Sequence, residues 1–301
     1  MKNFRSFFSV LLVVLLVFGF SAVGLAQEND EKTEITIAGG SVGIELELTK
    51  KAARMFEEKH PNVKVDVYTT PDLSDDRKGL YLQYLEAESP KIDVFQVDVI
   101  WPGELSNHFL DLNKYGAQEV ADKHFDSIIQ NNTVNDRLVA MPWFTDAGLL
   151  YYRTDLLNKY GYDKPPATWT ELEEMAKKIQ AGERENNPDF WGYVWQGNAY
   201  EGLTCDALEW IHSNNGGSIV NEEKEVTINN ENAIEMVNMA ADWVGEISPP
   251  GVTGLVEESS RKMFEAGNAA FMRNWPYVYA LASQEGKATA GNFDVAPLPA
   301  G

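Results

Sequence analysis

Hydrophobic and polar positions change their period along this chain, and the changes mark its elements. After a polar stretch to Glu31, "EITIAGG" is a short β-rich run stopped by two glycines. Leu48, Ala52, Met55 and Phe56 then fall on one face at helical spacing. That run stops at His60-Pro61, because a residue before proline is pushed out of the helical region. "NVKVDVY" alternates as a half-buried strand does, a helix is expected from about Ser74 to Glu88, and "IDVFQVDVI" reads as a third strand. Strand and helix alternate without a hairpin signal, which predicts parallel β-α units in an open α/β sheet. Ligands of such sheets bind at loops beyond the carboxyl ends of the strands.

The alternation resumes after an interruption. "RLVAMPWFTDAGLLYYRTDLL" holds two β-rich runs separated by Pro142 to Asp146, read as a crossover from one lobe to the next. A helix follows, opened by prolines and a capping box from Thr168 to Glu171. "FWGYVWQ" is expected as a strand, and "YEGLTCDALEWIHSN" as a helix ended by Gly216-Gly217. "NAIEMVNMAADWV" and "SRKMFEAG" read as helices and "NAAFMR" as a strand, after which "FDVAPLPAG" ends the chain with no closing helix. That ending looks cut.

Ahead of the first strand, Lys2 and Arg5, an apolar run from Phe7 to Phe20 and small residues to Ala26 form a secretory signal peptide, cut near Ala26. The run is short for a membrane span, and no cysteine stands at the cut to carry a lipid. Export across the inner membrane, to a periplasmic or extracellular location, is expected. The formal charge of −21, more negative once Lys2 and Arg5 are gone, repels phosphate backbones and anionic lipid heads. Nucleic acid and membrane surfaces are therefore poor partners. Charges are spread rather than blocked, and 44% hydrophobic content is that of a globular chain. The single cysteine, Cys205, excludes an internal disulfide, and its place on an apolar helix face predicts a buried, inert thiol.

Candidate chemistry starts at "GGSVG", Gly39 to Gly43, which matches the nucleophile-elbow pattern between a strand and a helix. A Ser41 nucleophile would need a histidine downstream, and the late one, His212, falls within a helix. Small residues at such a turn also let backbone N–H groups meet a ligand oxygen. His60, His108 and His124 lack metal-ligand spacing, and no phosphate loop, dinucleotide fingerprint or cysteine pair occurs, so neither metal nor cofactor is expected. Four charged residues stand at strand ends and helix starts: Glu45, Arg77, Asp98 and Asp146. "MRNWPYVY" adds Trp275 and Tyr277, on one face if the chain stays extended. Carboxylates accept several hydrogen bonds, arginine donates a fixed fork, and flat rings meet the apolar face of a sugar. The set suits a neutral polyhydroxylated ligand. An exported glycoside hydrolase using two of the carboxylates is the alternative.

Many stretches carry a resemblance: "EITIAGG", "FEEKHPNVKV", "DVFQVDVIWPGEL", "AMPWFTDAGLLYYRTDLLNKYGYDKPPATWTELEEMAKKIQAGERENNPDFWGYVWQG", "YEGLTCDALEWIHSNNGG" and "MFEAGNAAFMRNWPYVYAL". In this order they resemble trehalose/maltose-binding proteins, the extracellular solute-binding components of ABC sugar importers. The resemblance implies a two-lobed α/β periplasmic-binding-protein fold, each lobe an open, mostly parallel sheet flanked by helices and joined by hinge strands. It places the first lobe at residues 27–143 and the second at 144–301. It implies a binding protein, not an enzyme, that closes on a disaccharide, acts as a monomer and delivers to membrane permease subunits. The family's sugar-contacting residues fall on Glu45, Arg77, Asp98, Asp146, Trp275 and Tyr277. Phe144 stands where the family has a tyrosine, removing one hydroxyl that Trp143 can offset by stacking. Family members continue past "VAPLPAG" into a ligand loop, returning hinge strands and closing helices, so segments of both lobes are expected beyond this length.

Overall fold

The computed structural model describes residues 32–221 and 223–301, so the expected signal peptide lies outside the described residues. Strand β1 (Thr33–Gly39), helix α1 (Glu45–Lys59), β2 (Val63–Thr69), α2 (Ser74–Glu86) and β3 (Val94–Phe95) follow in sequence. They form a parallel sheet in the order β2-β1-β3, with Thr33 opposite Val63, Gly39 opposite Thr69 and Ile37 opposite Val94. Ala38, Tyr81, Trp101 and Leu105 are buried against it. The Tyr81 hydroxyl donates to Ala38 O at 3.3 Å, and burial pushes its pKa up to about 12.

The register puts the carboxyl ends of the three strands at one edge. Loops 40–44, 70–73 and 96–101 therefore stand together there. β3 is much shorter than "IDVFQVDVI" suggests. The chain leaves the sheet after Phe95, and Asp98 O accepts the Trp101 N–H at 3.1 Å to open the turn into α3 (Pro102–Leu105). Beyond α4 (Gln118–Ala121) and α5 (Asp126–Asn131), β4 (Thr133–Val134) and β5 (Arg137–Leu138) pair as an unexpected hairpin. Its turn residues Asn135 and Asp136 have φ of 50° and 60°, a left-handed pair that these short polar side chains tolerate.

The crossover from Val139 to Gly148 has no regular structure and leads to β6 (Leu149–Arg153). The second lobe then runs through α6 (Thr154–Tyr160), α7 (Trp169–Glu183), β7 (Trp191–Val194), α8 (Glu201–Ser213), α9 (Glu231–Trp243), α10 (Glu257–Glu265), β8 (Ala269–Asn274), α11 (Val278–Ala282) and β9 (Phe293–Ala296). The expected cap of α7 is present, Thr168 Oγ1 accepting the Glu171 N–H at 3.1 Å. Its sheet is ordered β7-β8-β6-β9 and is mixed rather than mostly parallel: β7 and β8 are parallel, while β6 is antiparallel to both β8 and β9. β6 enters from the crossover and not through a β-α unit, so no handed connection sets its direction.

That mixed sheet positions the site. Because Leu149 pairs with Asn274 and β7 runs beside β8, the start of β6 and the ends of β7 and β8 share one edge. Residues 146–148, 195–200 and 275–277 gather there. Below it, Trp169, Trp195, Trp210 and Trp243 form a buried cluster with ring centroids 5.0–5.7 Å apart. Three of the indoles keep a partner: Trp169 Nε1 donates to Ser213, Trp195 Nε1 to Ser248 and Trp243 Nε1 to Glu173, at 2.8–3.0 Å. Trp243→Ala removes the ring touching both Trp169 and Trp210 and is expected to cost about 3–5 kcal/mol in urea-unfolding free energy. A change below about 1 kcal/mol would show that the second lobe does not depend on this cluster.

Candidate ligand-binding site

The edge of the first sheet carries the first group of polar residues. Glu45 is the first residue of α1, and Arg77 lies in the first turn of α2. Both lean over Gly40, where a Cβ would collide with Glu45 Oε2 and the Arg77 guanidinium. A larger residue would push these two side-chain ends aside. The Gly40 N–H donates to Gln96 Oε1 at 2.8 Å, tying this loop to the end of β3. Arg77 is buried, its Nε donating to Pro71 O at 3.2 Å and Nη2 to Asp72 O at 3.4 Å. Asp98 is half-buried and accepts from Ser74 Oγ at 2.9 Å.

Glu45 Oε2 is buried without a hydrogen-bond partner. Burial raises the pKa of this carboxyl, Arg77 pulls it back, and the charges of Asp146 and Asp72 raise it further. Asp146, on the crossover, is open to solvent yet crowded by protein. Partial loss of hydration raises its pKa first and the charge of Asp98 second, against the opposing pull of Arg273. Asp146 is thus close enough to feel the charge of Asp98 and to act on Glu45, both in the first lobe.

At the edge of the second sheet, β8 ends in Arg273-Asn274 and delivers Trp275. The Trp275 N–H donates to Asn274 Oδ1 and its carbonyl accepts from Tyr151 Oη, both at 2.8 Å. Its Nε1 makes a long 3.4 Å bond to Glu257. Tyr277 Oη donates to Glu258 Oε1 at 2.8 Å. The two rings do not share an extended strand as the spacing suggests. The chain turns at Pro276, and Tyr277 caps α11. Tyr277 instead reaches the first lobe, its Cβ and Cδ2 3.4 Å from where a Cβ of Gly43 would lie.

Two acids missed in the sequence join the site. Glu201 opens α8 after the carboxyl end of β7, the same place that Glu45 holds after β1. Burial raises its pKa and the Cys205 thiol lowers it, while Asp98 and Glu257 raise it further. Glu257 opens α10. Cys205 is half-buried rather than buried. Its Sγ donates to Glu201 Oε1 at 2.8 Å, and burial followed by Glu201 raises its pKa, which keeps it a thiol.

Other candidates fall elsewhere. Ser41 Oγ donates to Asp72 at 2.6 Å, so its hydroxyl is engaged by an acid with no histidine as base. Phe144 and Trp143 are exposed, 51% and 55%, and with Phe125 and Ile128 they line a cavity of about 340 Å³ on the first-lobe side of the crossover. Among the described residues no cluster of acids, histidines and cysteines could hold a metal ion, and no helix is long and apolar enough to cross a membrane.

Two α/β units with strand ends facing across a crossover, lined by rings and acids, define a two-lobed binding protein. The chain belongs to the bacterial extracellular solute-binding protein family, whose model matches residues 42–301. It is 49% identical over 285 residues to a probable ABC transporter-binding protein of Deinococcus radiodurans, covering 95% of this chain and 68% of that relative. Maltose-bound MalE3 of T. maritima superimposes with a TM-score of 0.81 at 43% identity, covering 89% of this chain and 68% of that one. A solute-binding protein of Thermotoga lettingae bound with alpha-D-tagatose shares the fold at a TM-score of 0.77 and 22% identity, over 90% of this chain and 69% of that one.

The raised carboxyl pKa of Glu45 has a consequence for stability. Between the ordinary carboxylate value, about 4, and its raised value, the folded chain holds a proton that the unfolded chain has lost. Stability from this group is present at acid pH and is lost as pH rises through that window. Glu45→Gln is therefore expected to melt at a higher temperature than the natural chain at pH 7, and at the same temperature at pH 3.5. A lower melting point at pH 7 would show that pairing with Arg77 outweighs burial.

Proposed function

We propose that this protein is the substrate-binding component of an ABC importer and closes on a disaccharide of the trehalose/maltose type. The observation that carries the reading is that Trp275 and Tyr277 leave the same sheet edge as Asp146, with Tyr277 against Gly43 of the other lobe and Asp146 within charge reach of Glu45 and Asp98. A sugar offers a C–H face to a ring and a rim of hydroxyls to the acids. Ionised carboxylates that repel each other are poor neighbours in water and good acceptors for a ligand that brings only donors. The maltose bound by T. maritima MalE3 supports the choice of sugar.

In this reading residues 27–143 and 144–301 are the two lobes, the crossover 139–148 is one of the hinge connections, and Arg77 donates to ligand oxygens with the part of its fork not spent on Pro71 and Asp72. Phe144, from its place beside the crossover acid, adds apolar surface rather than a hydroxyl. The ligand favours the closed state because only there does it touch both lobes. The exported protein then passes it to membrane permease subunits.

Calorimetric titration of the full chain with maltose, trehalose and sucrose tests the proposal. Trp275→Ala is expected to weaken binding of each by about 2–3 kcal/mol, as loss of an aromatic anchor does. Asp146→Asn should reduce affinity about tenfold or more, with losses that differ more among the three sugars, because hydrogen-bond geometry separates linkages better than a flat ring. If Trp275→Ala binds all three like the natural chain but melts far lower, the tryptophan is core and the proposal fails.

A further inference from the structure

Arg273 is the one arginine of the second lobe with no exposed surface, and its guanidinium carbon lies 3.7 Å from the centroid of the Trp275 ring. Trp275 follows directly on the last residue of β8, two positions from Arg273, which brings its ring over the guanidinium. The guanidinium cannot slide. Its Nε is 3.0 Å from Asp206 Oδ1 and 2.8 Å from Glu209 Oε2, Nη2 meets the other Glu209 oxygen, and Nη1 donates to Gln196 Oε1 at 3.2 Å. Gln196 is held in turn, its amide donating to Ser260 Oγ at 2.8 Å and Arg273 O at 2.9 Å while its N–H donates to Asp206 at 2.9 Å.

A buried ion pair is an expensive way to join a strand to a helix, since apolar side chains of the same size commonly do as well. What this one does that an apolar residue could not is present a flat, fixed cation to one face of a half-buried indole. We infer that Arg273 is a positioning residue for ligand binding, holding the plane of Trp275 so that its other face is ready for a sugar. The inference rests on the proposed sugar site. An indole that must be immobilised when the ligand arrives spends part of the binding free energy on its own ordering, and one already held does not. The same cation reaches the crossover: a Cβ on Gly148 would lie 2.9 Å from Arg273 Nη2, and the charge draws on Asp146 and Glu201. Ring and acids are thereby aligned from behind by one group.

The test uses the full chain labelled with 5-fluorotryptophan and followed by fluorine NMR, the Trp275 resonance being assigned by its loss in Trp275→Phe. Arg273→Lys keeps a charge opposite Asp206 but removes the planar stack. Glu209→Gln leaves the Asp206 pair in place and loosens the fork from its half-exposed side, so it serves if Arg273→Lys does not fold. Without ligand, each variant is expected to shift and broaden the Trp275 resonance while Trp101 and Trp169 keep theirs, and maltose affinity should fall about tenfold. An unchanged Trp275 resonance in a folded variant would overturn the inference, whether or not affinity falls, and so would a moved resonance with unchanged affinity. Failure of both maltose and trehalose to bind the natural chain would overturn the sugar reading itself, a result separable from the ligand-free spectra.

Discussion

Arg273 sits at zero exposure at the end of β8, and a guanidinium there is tolerable because Asp206 and Glu209 of α8 and Gln196 from the loop after β7 close around it. Removing one partner of such a buried pair leaves an uncompensated charge, typically at a cost of about 3–5 kcal/mol. The constraint therefore locks β7, β8 and α8 into one unit at the edge that faces the other lobe. Asp206, whose pKa burial raises strongly against the pull of Arg273, depends on the arginine as much as the arginine depends on it. Three parts of the candidate site hang from this unit: Trp275 by covalent continuation and stacking, Glu201 by the helix that carries Asp206, and the crossover by Gly148 lying against the guanidinium.

The first lobe meets this rigid edge with a softer one. Glu45 and Arg77 reach over Gly40 from the first turns of their helices, and Glu45 keeps a buried oxygen without a partner. Asp98 is tied to the start of α2 through Ser74. The charge of Asp146 raises the pKa of Glu45, and that of Asp98 raises the pKa of Asp146, so carboxylates from the two sides of the crossover repel one another.

Much of this was readable in the sequence because local rules agreed with the fold. The β1-α1-β2-α2 run follows from period alone, and the helix boundary at His60-Pro61 falls where the proline demands. Glu45 and Asp98 could be singled out because they follow strands of an open sheet, and Asp146 because it stands on the crossover ahead of β6. Glu201 stands in the same place after β7 and was obscured by the apolar look of its helix. The direction of β6 was not legible, since it is fixed by pairing with Asn274 more than a hundred residues away, which no local period encodes. The Asn135-Asp136 hairpin was hidden by two-residue strands too short to alternate. Trp275 and Tyr277 were found as rings, but the turn at Pro276, which sends one to Arg273 and the other to the opposite lobe, depends on those distant partners.

Gly43, with φ of +58° and no side chain, is where the β1–α1 loop meets Tyr277. A Cβ there would stand 3.4 Å from the Tyr277 ring, at ordinary contact distance, and that ring is anchored through Glu258 to α10. What asks for glycine is therefore the left-handed backbone and not a lack of room. The first lobe touches the ring at a bend of its own main chain, so the seam at this point is backbone against a braced aromatic, with no side chain of the loop between them.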